Sequence, residues 1–190
     1  MKQYKYIFVT GAPGSRMSEY VEEHIYPLPN IDPSDRSPER TYWAHGELLH
    51  RGAYFDPCME FENDALQWDK PFMERGGSTG YPRSKFNFGD GIRVIKSHTF
   101  AFQLDYLEQF KYPIHIVIRP DDECYEWWHA EGGWDITYPE YRRYYIDNDN
   151  LKEQIAIQNK TSLEWIEKKR LKKHNDGKRD YYIWTPANEK

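Results

Sequence analysis

The run Gly11-Ala12-Pro13-Gly14-Ser15-Arg16-Met17-Ser18 joins residue types that can hold an anionic oxygen. Glycines let a backbone approach closely and adopt unusual φ, and N–H groups converging at a helix start attract phosphate or sulfate. Ser15 and Ser18 add hydroxyl donors, and the Arg16 guanidinium offers a two-pronged contact. The run departs from the GxxxxGK[ST] pattern of a magnesium triphosphate site. Counted from Gly11, Arg16 falls where that pattern has its second glycine and Met17 where it has its lysine. A tight strand-to-helix turn without a ligand is the plain alternative.

Further along, Lys96 and His98 alternate at the end of an apolar run, which puts both on one face of a strand. A neutral imidazole at the C-terminal end of such a strand is placed to act as a general base, with a structural or surface histidine as the alternative. Arg119 ends the most apolar run of the chain, where an unpaired guanidinium is costly, so it calls for an anion or an acidic neighbour such as Asp121 or Asp122. Trp127, Trp128 and Trp134 follow closely. Aromatic faces among polar groups suit a sugar or phenolic ligand, or else fill a core. His129 and Glu131 are rival bases there. His45, Glu47 and His50 lack HExxH or comparable spacing, so no metal site is expected.

These residues need elements to position them. Tyr4 to Thr10 reads as a buried strand running into the glycine turn, and Ser18 to Tyr26 as a helix ended by Pro27 and Pro29. Ile92 to Ser97 reads as a second strand, Thr99 to Phe110 as a helix, and Ile114 to Ile118 as a parallel strand covered on both faces. Helices follow over about 121–130 and over Asn148 to Lys173, the latter with Leu151, Ile155, Leu163 and Ile166 on its inner stripe. Tyr181 to Trp184 is a last strand. Strands alternating with helices predict one α/β domain over 1–190 with a central, mainly parallel sheet. Between about 27 and 91 periodicity fails, apart from a short helix near Glu60 to Trp68, which predicts a lid or acceptor-binding insertion.

Composition bounds the function. A net charge of −5 provides no protein-wide positive field for nucleic acid. The apolar stretch Tyr6 to Val9 is far short of a signal core or a membrane span, so a soluble, cytoplasmic protein with no membrane partner is expected. Cys58 and Cys124 are too few for a disulfide scaffold and read as reduced thiols. Aromatic residues make up 17% of the chain, enough to fill a core with few, large side chains.

Taken together, three segments resemble the sulfotransferase family. Gly11, Ala12, Pro13, Ser15 and Ser18 match its phosphosulfate-binding loop, with Gly14 and Arg16 standing as if the loop's basic residue and glycine had exchanged places. The segment with Lys96 and His98 is similar to the family's KxH segment, whose histidine is the base in many members. Ile114 to Asp122 is similar to the strand leading into its RxP segment, which makes Arg119 the counterpart of the 3′-phosphate ligand. Glu126 and Trp127 stand where the family has a phosphate-binding serine, and its late glycine-rich signature is absent. The resemblance implies a three-layer α/β/α fold like that of P-loop NTPases and 3′-phosphoadenosine 5′-phosphosulfate as co-substrate. It also implies a small-molecule or carbohydrate acceptor carrying a hydroxyl or amine, and no metal. The competing readings are a P-loop small-molecule or nucleoside kinase with a degenerate loop, and a non-catalytic nucleotide-binding protein of the same fold.

Overall fold

The computed structural model describes residues 6–31, 42–44, 47–49, 92–135, 141–143 and 145–186. Most of the expected insertion at 27–91, including the expected helix at 60–68, lies outside the described residues, as do His45 and His50. Within the insertion, β2 (Tyr42–Ala44) and β3 (Glu47–Leu49) form an antiparallel pair.

The main sheet has five strands in the order β4-β1-β5-β7-β6. The strands are β1 (Tyr6–Gly11), β4 (Arg93–Lys96), β5 (Ile114–Ile118), β6 (Lys173–Asn175) and β7 (Asp180–Trp184). β1 runs parallel to both β4 and β5, whereas β7 is antiparallel to β5 and to β6. The sheet is therefore mixed, and the mainly parallel sheet expected from alternation holds only for its β4-β1-β5 half. The turn residues Asp176 and Gly177 fold β6 and β7 into an antiparallel hairpin, and the docking of that hairpin with β7 against β5 makes the second antiparallel pair.

Side chains alternate across β1, and that alternation builds two cores. Tyr6 and Phe8 join Ile114, Ile116 and Trp184 on one face, under α2 (Leu104–Glu108) and α4 (Asn148–Lys169). Ile7 and Val9 join Val117 on the other, against α1 (Met17–Tyr20) and the π-helical turn Val21–Ile25 that continues it. A third cluster sets Cys124 and Trp128 of α3 (Asp121–Ala130) against Leu151 and Ile155 of α4. Burying apolar side chains on both faces of β1 and β5 explains why those strands read as continuous apolar runs.

Two helix boundaries differ from expectation. His98 is not a strand residue: β4 stops at Lys96, Ser97 caps a 3₁₀ turn over His98–Gln103 by accepting the Thr99 N–H, and that turn leads into α2. α4 ends at Lys169 rather than Lys173. Arg170 takes a left-handed conformation (φ 53°), the Leu171 N–H reaches the Ile166 carbonyl, and Arg170 reaches that of Glu167. This is a Schellman stop, and it frees Lys173 to begin β6. Of the expected inner stripe of α4, Leu151, Ile155 and Ile166 are buried, whereas Leu163 is 43% exposed and Trp165 is buried instead.

Candidate functional site

The loop leaves β1 at Gly11 and enters α1 at Met17. Gly11 is held under the loop: a Cβ there would lie 2.8 Å from the Val117 carbonyl oxygen and 2.5 Å from Ser15 Oγ. Gly14 sits at φ 77° with its Cα pressed on the Cys124 carbonyl of α3, so this glycine serves helix packing rather than approach to a ligand. Ala12, Ser15 and Met17 are buried, and the Ser15 N–H closes a turn onto the Ala12 carbonyl. Ser15 Oγ is buried and has no hydrogen-bond partner among the described residues.

Residues from β4 and β5 arrive beside this loop because their strands flank β1. The register pairs Val9 with Lys96 on one side and Gly11 with Val117 on the other. Lys96, only 6% exposed, donates from Nζ to Ser18 Oγ at the start of α1. His98 is 7% exposed, and its Nδ1 lies 2.6 Å from the Gly11 carbonyl oxygen. A carbonyl only accepts, so Nδ1 carries the proton and the lone pair of the neutral ring is on Nε2. The tip of β4 thus meets the glycine loop at both of its ends.

The loop's own cation is engaged. Arg16, in a left-handed conformation (φ 65°, ψ 30°), grips the Glu19 carboxylate with Nε and Nη2, and its guanidinium lies 4.0 Å from the centre of the Trp127 ring. Arg119 lies 5.2 Å from the same ring. Its acidic neighbour is Glu123, one helical turn on, with Nε donating at 2.8 Å, rather than Asp121 or Asp122. Asp121 instead accepts from Asn159 at 2.7 Å. Arg119 Nη1 is buried without a partner among the described residues. Trp127 is therefore a half-buried platform for two guanidinium groups.

The other two tryptophans separate in role. Trp128 is 3% exposed and packs edge-on against Trp134 and Tyr141, so no ligand reaches its face. Trp134 is half-buried and donates from Nε1 to Asn148 Oδ1 at 2.8 Å. A groove of about 360 Å³ between α3 and α4 is lined by Asp121, Asp122, Tyr125, Glu126, Lys152 and Ala156, so three carboxylates and one lysine face it.

Behind the loop lies a set of charges that sequence reasoning missed. Arg179, whose side chain is fully buried, donates to Glu23 at 2.7 Å and to Glu19 at 3.3 Å, and pairs with Asp176 at 3.2 Å. Lys178 also pairs with Glu19, at 2.9 Å, and with Glu23. The signal available in the sequence was the Asp176-Gly177 turn, but nothing local says that this turn docks on α1. Burial acts to raise the Glu19 pKa, yet the hydrogen bonds from Arg16 and Lys178 outweigh it and hold the carboxyl below its ordinary value. Glu23, His24 and Asp176 could bring three ligand atoms within 4.8 Å of one another. Their oxygens are already committed to Lys178, Arg179 and the His24 ring.

Beneath this set, the Tyr20 hydroxyl and His115 Nδ1 are 2.8 Å apart. Burial, with nearby His24 adding to it, lowers the His115 pKa to about 4, while burial pushes the Tyr20 hydroxyl up. Tyr20 is thus the donor and His115 the neutral acceptor. The Cys124 thiol is pushed up to about 12 by burial and donates to the Arg119 carbonyl, which makes it a packing group and not a nucleophile.

Among the described residues no helix is long and apolar enough to cross a membrane. No protein-family model, curated protein or solved structure matches this chain.

Proposed function

We propose that this chain is a sulfotransferase-like enzyme of P-loop-type, three-layer architecture, acting in the cytoplasm on a hydroxyl or amine of a small-molecule or carbohydrate acceptor. One observation carries the reading. Segments far apart in sequence, Gly11–Ser18, Lys96–His98 and Arg119, meet at the C-terminal ends of three adjacent parallel strands, where open α/β sheets place their ligands.

The co-substrate 3′-phosphoadenosine 5′-phosphosulfate supplies an activated sulfuryl group on a phosphate leaving group. The acceptor oxygen bonds to sulfur as the sulfur–oxygen bond to that phosphate breaks, so negative charge grows on the phosphate and the acceptor loses a proton. Lys96 and the loop N–H groups supply fixed positive charge on the phosphate side, and Ser18 orients the ammonium. His98 takes the acceptor proton on Nε2, since Nδ1 is held by the Gly11 carbonyl. The step as written depends on positioning and fixed charge and uses no metal.

The residues fit the two halves of the co-substrate unequally. The loop has a buried hydroxyl at Ser15 with no partner among the described residues, and a second at Ser18 that holds Lys96, which suits the phosphosulfate end. On the Arg119 side, Nη1 is a donor without a partner among the described residues and open to a second phosphate, but Asp121, Asp122 and Glu126 line the neighbouring groove and repel one. Trp127 and Trp134 are the half-buried rings left for nucleotide or acceptor contact.

Thermal unfolding with 3′-phosphoadenosine 5′-phosphate, against ATP with magnesium, tests the reading. Ligand at a hundred times its Kd stabilises by about 2.7 kcal/mol, a shift of several degrees. Stabilisation by the bisphosphate alone supports transfer of a sulfuryl group, by ATP a kinase, and by neither a non-catalytic protein. His98→Ala should then abolish transfer and leave bisphosphate binding intact; full activity in that variant removes His98 as the base.

A further inference from the structure

We propose that Glu19 sets the anion affinity of the loop by holding Arg16 in an ion pair that an incoming phosphate or sulfate ester replaces. This rests on the reading that the loop takes an anion, and not on the transfer step.

Arg16 as it stands is not available to a ligand: Nε and Nη2 are both on Glu19. For most ion pairs of this burial, removing one partner strands the other charge and is strongly unfavourable. Glu19 is different because it carries spare partners. Its Oε1 receives Lys178 Nζ at 2.9 Å and its Oε2 receives Arg179 Nη1 at 3.3 Å. When Arg16 leaves, Glu19 remains paired with two cations from the β6–β7 turn. Those cations cannot follow Arg16, because Lys178 is also on Glu23 and Arg179, fully buried, is also on Glu23 and Asp176.

The guanidinium also keeps a resting place. Trp127 holds its face at 4.0 Å independently of Glu19, so a guanidinium released from the carboxylate remains beside the loop. Two buried polar atoms of the same region have no partner among the described residues: Ser15 Oγ within the loop, and Nη1 of Arg119, whose guanidinium shares the Trp127 ring with Arg16; an anion that takes Arg16 would satisfy them. Arg16 therefore exchanges one anionic partner for another, while Glu19 stays paired with Lys178 and Arg179. Glu19 is an affinity-setting residue and does not touch the reacting atoms.

Calorimetric titration of the full chain with inorganic pyrophosphate tests this. Glu19→Gln should tighten pyrophosphate binding about tenfold, a change worth about 1.4 kcal/mol. Glu164→Gln, the same charge change on an exposed part of α4, should alter it less than twofold. In an Arg16→Ala background Glu19→Gln should have no effect. Lys178→Met should weaken binding severalfold, more than Lys160→Met does, because Glu19 then has one fewer cation to fall back on. The proposal is overturned if Glu19→Gln is no tighter than Glu164→Gln, or if its gain survives without Arg16. Should Glu19→Gln not fold, equal affinities for Lys178→Met and Lys160→Met overturn it. Sulfuryl transfer without a Glu19 effect removes the exchange alone. A Glu19 effect without transfer removes only the transfer reading, and no pyrophosphate binding by the wild type removes both.

Discussion

A methyl group at Gly14 would stand inside the Cys124 carbonyl, on a backbone already at φ 77°. Cys124 closes the first turn of α3 and cannot retreat without moving the helix. Gly14→Ala should therefore cost about 3 kcal/mol or more, from the left-handed penalty plus the overlap, measured by urea unfolding. Gly177 has a similar φ of 84° but nothing within 4 Å, so Gly177→Ala should cost only about 1 kcal/mol. Equal losses at the two sites would mean that the loop does not press on α3. The comparison also marks what was legible at this scale. Gly14 reads as a special backbone position from its neighbours alone, but whether a ligand or a helix lies against it depends on a segment more than a hundred residues away. Arg16 is similar. Its charge is evident, and its partners Glu19 and Trp127 are not, since only one of them is on the same helix.

At the scale of elements, α4 shows both what periodicity determines and where it stops. Asp147 accepts the Asn150 N–H at 2.9 Å and starts the helix, a cap visible in the sequence as Asp before an apolar period. Asp147→Ala should cost about 1 kcal/mol in unfolding free energy, and no loss would mean that packing alone sets that end. The far end was not legible. The basic run after Lys168 continues a good helical pattern, but Arg170 turns left-handed and Leu171 tucks against the main core. Burying Leu171 and freeing Lys173 for the hairpin outweigh the few tenths of a kcal/mol of helix propensity per residue. The same competition places Trp165 inward, where it donates to Asp105 at 2.9 Å, and leaves Leu163 in solvent.

For the molecule as a whole, the buried His115 dictates how stability follows pH. Its pKa is about 4 in the folded chain against 6.5 for the free side chain, so between those values the unfolded chain binds a proton that the folded chain refuses. Folding is thus favoured fully above pH 6.5, and the advantage declines as pH falls towards 4. From pH 7 to pH 5 the wild type should lose roughly 2 kcal/mol. His115→Gln should flatten most of that slope, and an unchanged slope would move its origin elsewhere. Below pH 4 the depressed carboxyls of Glu19, Glu23, Asp176 and Asp180 take over, because protonating them releases Lys178, Arg179 and Lys173. The clamp between α1 and the β6–β7 turn should open in acid before the sheet does.

By itself the amino-acid order determined the local pieces: β1 and β5 from apolar runs, α3 from its helical period, and the strand-loop-helix unit at Gly11. Each depends on neighbours within a turn or a strand, and so each is written where it forms. Only the tertiary structure decided that β7 runs antiparallel, that Trp128 is core while Trp127 is a platform, and that Lys96 and His98 close on the two ends of the loop. It also decided that Glu19 is shared between Arg16 at the start of its own helix and Lys178 and Arg179 of a distant hairpin. Those outcomes follow from which surfaces compete to be buried and which charges must then be paired, and that competition is settled by the whole chain at once.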